Sequence, residues 1–114
     1  MQLDQLEKAL RQLPHDTLMT EIPEIQNSIA HLKKSNDEMR EYDPDHSDPD
    51  FVQAIGENIA LIKHYEERID LTLRVIREII GEAAAREMGS NVASFRERYQ
   101  TPQESTQEEA GVFL

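Results

Sequence analysis

Leu18, Ile22, Ile25, Ile29, Leu32, Asn36 and Met39 follow one another at alternating intervals of four and three residues. That spacing keeps one side chain per turn on a single face of an α-helix, and such a face has to be buried against another helix. A second ladder answers it downstream: Val52, Ile55, Ile59, Ile62, Glu66, Ile69, Leu73, Ile76 and Ile80. Between the two, residues 42–50 read Tyr-Asp-Pro-Asp-His-Ser-Asp-Pro-Asp, and the prolines keep this stretch from being helical throughout. The pattern predicts an all-α chain built on a long antiparallel, coiled-coil-like helical hairpin. Its helices are expected over about 20–41 and 49–88, joined by a loop at 42–48.

The ends of these elements are marked by local chemistry. Leu3, Leu6, Leu10 and Leu13 form a short apolar stripe, so a helix is expected at about 2–13, closed by Pro14. Pro23 fits if the regular helix begins near Thr20, which places it in the first turn and leaves an irregular segment from Pro14 to about Glu21. Asp48-Pro49-Asp50 is a strong helix start: a capping side chain, proline in the first turn, and negative charge at the positive end of the dipole. Gly81 weakens the third helix, and Gly89-Ser90-Asn91 marks its end, with Val92–Tyr99 able to add two turns. The domain is expected to occupy 1–99. Residues 100–114 read as a disordered acidic tail whose last residues, Val112-Phe113-Leu114, offer a short docking motif.

With the loop centred near His46, Met39 faces Gln53 and Leu18 faces Arg74. Asn36 and Glu66 then form a partly exposed polar layer within the ladders, Glu66 lying near Gln26 and Asn27, at a cost in stability and a gain in register. Beside its ladder the third helix carries Leu61, Tyr65, Val75 and Ile79. One buried side chain of this kind contributes about 1.5–3 kcal/mol, against roughly 1–2 kcal/mol of backbone entropy per ordered residue. A bare hairpin is therefore marginal, and the surplus stripe should bury something: the Leu3–Leu13 helix, a second copy or a client protein. The first can cover the Val75–Ile79 end but not Leu61 and Tyr65.

Composition narrows the functional classes. The chain has 114 residues with a formal net charge of −11, so phosphate backbones and anionic membranes repel it while basic protein surfaces attract it. It has no cysteine, which removes disulfides, zinc–thiolate sites and thiol catalysis. The N-terminus does not read as a signal peptide, and no stretch approaches the ~20 apolar residues of a membrane span. A cytoplasmic protein is expected, with the nucleus as a second compartment. Asp43, Asp45, Ser47 and Asp48 imitate a calcium loop, but Asp48 stands where glycine is needed and Ala54 where the bidentate glutamate belongs. Helix capping explains them better. His31 and His64 could approach each other across the hairpin, but two histidines without a third ligand make no metal site. No phosphate loop or nucleophilic constellation is visible. The expectation is a non-enzyme without metal or cofactor.

Residues 24–36, Glu-Ile-Gln-Asn-Ser-Ile-Ala-His-Leu-Lys-Lys-Ser-Asn, resemble the central motif of the fungal proteasomal ATPase-dedicated chaperone family, also catalogued as translation machinery-associated protein 17. Glu57-Asn58 and Tyr65-Glu-Glu-Arg-Ile-Asp70 are similar to the family's second motif. The resemblance implies an assembly chaperone that transiently binds one ATPase subunit of the proteasome base, promotes ATPase pairing and leaves before the particle matures. Proteasomal ATPases carry N-terminal coiled-coil helices, beside which a hairpin with a surplus apolar stripe could pack. Asn27, Ser28, His31 and Ser35 fall mostly off the ladder and are candidate partner-binding residues, with Leu61 and Tyr65 as the apolar candidates. Phe51 and Tyr42 flank the loop and are expected to close the hairpin tip. Competing readings are a ribosome-associated factor, a structural homodimer closing a four-helix bundle, and a prefoldin-like holdase. The protein itself is expected to be a monomer or a weak homodimer.

Overall fold

In the computed structural model, which describes residues 3–99, four helices follow one another: α1 Leu3–Arg11, α2 His15–Tyr42, α3 Pro49–Ile79 and α4 Glu82–Tyr99. The described residues contain no strand. Helices α2 and α3 form the expected antiparallel hairpin. Leu18, Ile22, Ile25, Ile29 and Asn36 of α2 are buried, as are Ile55, Ile62, Ile69 and Ile76 of α3. Two cross-hairpin contacts fix the register. Asn58 Nδ2 donates to Asn36 Oδ1 at 2.9 Å, and Arg68 Nη2 donates to Glu21 Oε1 at 2.9 Å. Both pairs straddle a centre near His46, so the pairing expected from the ladders stands.

The turn is organised by two aspartates. The Asp43 backbone N–H closes α2 on the Met39 carbonyl at 2.9 Å, and its own carbonyl accepts from His46 N–H at 3.0 Å. This is a β-turn with Pro44 in its second position; His46 follows in the left-handed region at φ 56°. The Asp43 carboxylate then accepts from the Ser47 N–H and hydroxyl on one oxygen and from the Asp48 N–H on the other. These donors, the Asp48 N–H foremost, hold its carboxyl below the usual carboxylate range. Asp48 in turn accepts from Asp50 N–H at 2.9 Å and caps α3, with Pro49 in the first turn. The capping role expected for these residues is what they perform. Phe51 is half-buried at the tip, whereas Tyr42 is 81% exposed and does not close it.

Three boundaries differ from the sequence-based expectation. Helix α2 begins at His15, not near Thr20, so Pro23 lies in the helix interior on an exposed position, unable to donate to the Met19 carbonyl. The surrounding turns are held by the packing of Leu18, Ile22 and Ile25, which outweighs one lost hydrogen bond. The third helix stops at Ile79, not near residue 88. Gly81, at φ 144°, takes a conformation side chains rarely adopt, and both Ile80 N–H and Gly81 N–H terminate on the Ile76 carbonyl. Finally, Gly89-Ser90-Asn91 is not a stop: α4 runs straight through it, because a helical glycine costs only about 1 kcal/mol and the packing of Met88 and Val92 exceeds that.

Helix α4 folds back along α3. Ala85, Met88, Val92 and Phe95, spaced three, four and three, bury one face in the common core, and Tyr99 stacks on Phe95 with ring centroids 4.6 Å apart. Glu66 therefore has a different role from the one expected. Its hydrogen bond goes not to Gln26 or Asn27 but to Arg96 of α4, whose Nε donates at 2.6 Å, and Arg96 also reaches Asp70 at 3.1 Å. Helix α1 lies on a third face of α3, with Leu6 and Leu10 buried, and Arg74 donates to Glu7 at 2.8 Å. Arg11 bonds both Glu7 and Glu78. It covers the Val75 end of the surplus stripe and leaves Leu61 exposed, as expected.

Two predictions follow from the hairpin's polar fasteners. Asn58→Ala removes the hydrogen-bond donor to the fully buried Asn36 and should cost about 1–3 kcal/mol in urea unfolding, whereas Asn36→Leu with Asn58→Leu should recover most of it. Asp43→Asn turns an amide N–H toward the Asp48 N–H and should lower the Tm at pH 7. Because the native carboxyl titrates below its unfolded value, the stability it contributes is complete above about pH 4 and is lost as the pH falls through the native pKa. The gap in Tm between the wild type and Asp43→Asn should close over that range.

Candidate protein-binding face

The two cross-helix ion pairs identify the edges of the hairpin. Glu21, Ser28 and Ser35 are seven residues apart, two helical turns, and so share one edge of α2. Leu61, Tyr65 and Arg68, at i, i+4 and i+7, share one edge of α3. The Glu21–Arg68 pair joins these edges, so Ser28, Ser35, Leu61 and Tyr65 lie on the same side of the molecule. Helix α4 is on the other side: Glu66, which it holds through Arg96, stands two residues from Arg68 and about 200° round the helix.

Four of the six residues expected to bind a partner are thus brought together, and two are not. Asn27 and His31 are exposed, each two residues beyond a buried isoleucine of the ladder, on the outer surface of α2. Ser28 is half-buried and its hydroxyl donates to the Glu24 carbonyl at 3.3 Å; Ser35 is also half-buried. Tyr65 packs its ring partly against the core, and Leu61 is 40% exposed. The edge is therefore a shallow strip: polar and small on α2, apolar on α3, with no described helix above it.

Electrostatics divide the molecule along its length. Between Asp37 and Glu57 the sequence holds eight carboxylates and one arginine, a net charge of −7; residues 58–99 hold seven of each sign and are neutral. At the base the arginines are committed: Arg11, Arg68, Arg74, Arg77 and Arg96 all face carboxylates at hydrogen-bond distance. Glu7 is held below the usual range, chiefly by its hydrogen bond to Arg11. At the tip the single arginine, Arg40, faces a carboxylate, Asp37 at 3.5 Å, and the outer surface shows Tyr42 beside Glu38 and Glu41. Among the described residues no group of three or more histidine or acidic side chains is placed to hold a metal ion, and no helix is long and apolar enough to cross a membrane. The His64 ring lies 3.8 Å from Glu67.

The family model for the TMA17 helical domain matches residues 2–81. The chain belongs to the TMA17 family. Neither curated proteins nor solved structures gave a match. The matched segment ends at Gly81, the break between α3 and α4, so the TMA17 helical domain here is α1 with the hairpin, and α4 lies beyond it. All six candidate residues fall inside the domain. What sequence reasoning missed is the acidic polarity of the tip, visible as a local count of charges, and the Arg96 anchor, whose partners are thirty and twenty-six residues away and carry no local signal.

If the Leu61 strip is not part of the core, altering it should leave the fold intact. Leu61→Ala should change stability by less than about 1 kcal/mol, while Ile69→Ala, at a fully buried position of the same helix, should cost about 2–5 kcal/mol. Paired urea titrations measure both.

Proposed function

We propose that this TMA17-family protein is a proteasome assembly chaperone that transiently binds an ATPase subunit of the regulatory-particle base and promotes its pairing with a neighbour. The observation that carries the reading is the uncovered strip on the α2–α3 edge of the family domain, where exposed Leu61 and half-buried Tyr65 stand beside Ser28 and Ser35. A helix of a coiled-coil partner can lie along such a strip, reading anchors at i and i+4. The protein acts by contact and not by catalysis. The acidic tip steers it toward a basic partner surface and makes the encounter salt-sensitive, which suits a chaperone that has to leave. The client complex is expected to be 1:1, formed in the cytoplasm or nucleus, with no direct contact to nucleic acid.

Affinity purification of the tagged protein from its own cells, at low and moderate salt, tests this by mass spectrometry. One or two base ATPases should be recovered without the proteolytic core. Leu61→Glu should reduce that recovery by about tenfold or more while leaving the melting curve close to wild type. Recovery of ribosomal proteins alone, or of the tagged protein alone, would overturn the reading.

A further inference from the structure

Opposite the proposed client strip runs a second groove, and α4 fills only half of it. Val52, Ile59, Glu66 and Leu73 are seven residues apart and share one edge of α3. Leu73 packs against the core and Glu66 is held by Arg96, but Ile59 is 37% and Val52 45% exposed. The facing edge of α2 is Met19, Gln26, Lys33 and Arg40, again seven apart. Met19 packs against the core. Beyond it, Gln26 Nε2 and Arg40 Nη2 are buried yet have no hydrogen-bond partner among the described residues. Among the described residues Arg40 is ion-paired to Asp37 through Nη1 at 3.5 Å, and its side chain is almost covered. The upper groove thus has an apolar floor, a cationic rim of Lys33, Arg40 and Lys63, and buried donors, within the otherwise acidic half of the molecule.

We infer that residues 100–114 of the same chain dock in this upper groove. Helix α4 ends at Tyr99, one turn past Arg96, and therefore delivers the following residues to the groove near Glu66. The distance from Glu66 to Val52 along α3 is about 21 Å, and the chain from Tyr99 to Val112 can span about 40 Å. The segment carries Glu104, Glu108 and Glu109 with no lysine or arginine, and then Val112-Phe113-Leu114. Its acids match the cationic rim and the unpartnered donors, and its apolar residues match Ile59 and Val52. Attachment to α4 raises its local concentration, so modest contacts suffice. The groove stands apart from the Leu61 strip, and the inference does not rest on the client reading.

The cysteine-free chain allows a clean test. A nitroxide is attached to Ser105→Cys, and paramagnetic broadening of the isoleucine and valine methyl signals is measured by NMR at several protein concentrations. Docking predicts that Val52 and Ile59 fall to about half intensity or less while Ile22 is spared, independent of concentration. The Val112→Ser, Phe113→Ser, Leu114→Ser variant should restore both signals, and Arg40→Gln should weaken the effect. Absence of selective broadening overturns the inference. So does broadening of unlabelled by labelled molecules in a mixture, which would assign the groove to a second copy. The purification above can fail without affecting this result, and the converse also holds.

Discussion

Helix α3 is too apolar for one partner, and the architecture follows from that constraint. Ile69, Leu71, Thr72, Val75 and Ile76 are all buried, and consecutive buried positions such as these cannot lie on one narrow stripe. Helix α2 covers one side, α4 a second and α1 a third. At the base α3 is therefore enclosed on three sides. Toward the tip only α2 accompanies it, and the exposed residues Val52, Ile59 and Leu61 appear where the enclosure ends. A two-helix hairpin of this length would be marginal against its conformational entropy. The short helices supply the missing burial at one end and leave apolar side chains exposed at the other.

Legibility of the sequence tracked the range of the interaction concerned. The α2 ladder, the Asp48 cap and the Leu6–Leu10 helix are set by residues within a turn or two of one another, and each was readable. The failures share a cause. Gly81 and Gly89 look alike as letters, and what separates them is backbone conformation, a positive φ at one and an ordinary helical turn at the other, decided by whether α4 finds a face of α3 to cover. Glu66 looked like a flaw in a ladder because its partner, Arg96, is remote in sequence. Pro23 looked like a start signal because a proline in a helix interior is costly, and only the burial of its neighbours shows that the cost is met. Of the candidate binding residues, the seven-residue spacing of Ser28 with Ser35 and the four-residue spacing of Leu61 with Tyr65 were legible, but their meeting on one side depends on the Glu21–Arg68 contact.

Charge is distributed in the same way as burial. The base sets most of its arginines against one or more carboxylates, and such partly exposed pairs add little to stability individually. Their more definite effect is to leave the base neutral, so that the long-range field of the described chain comes from the tip. In the proposed client encounter, association through the hairpin therefore begins where the protein is least enclosed and most acidic. The Asp43 brace belongs to this account, since it holds the loop between two acidic helix ends that would otherwise repel each other.

Stability and the proposed recognition are consequently assigned to different ends of one long helix. A change at Ile69 or Val75 acts on the core and reaches every helix; a change at Leu61 or Ile59 acts on a surface. This separation lets the exposed end vary without unfolding the domain, and it explains why α4 can lie outside the TMA17 helical domain yet matter to it. By covering the lower half of one groove, α4 decides which side of the hairpin stays open along its length. The Leu61–Tyr65 strip is open because α1 reaches only the Val75 end of that side and α4 lies on the other, which in turn depends on the direction in which the chain leaves Gly81.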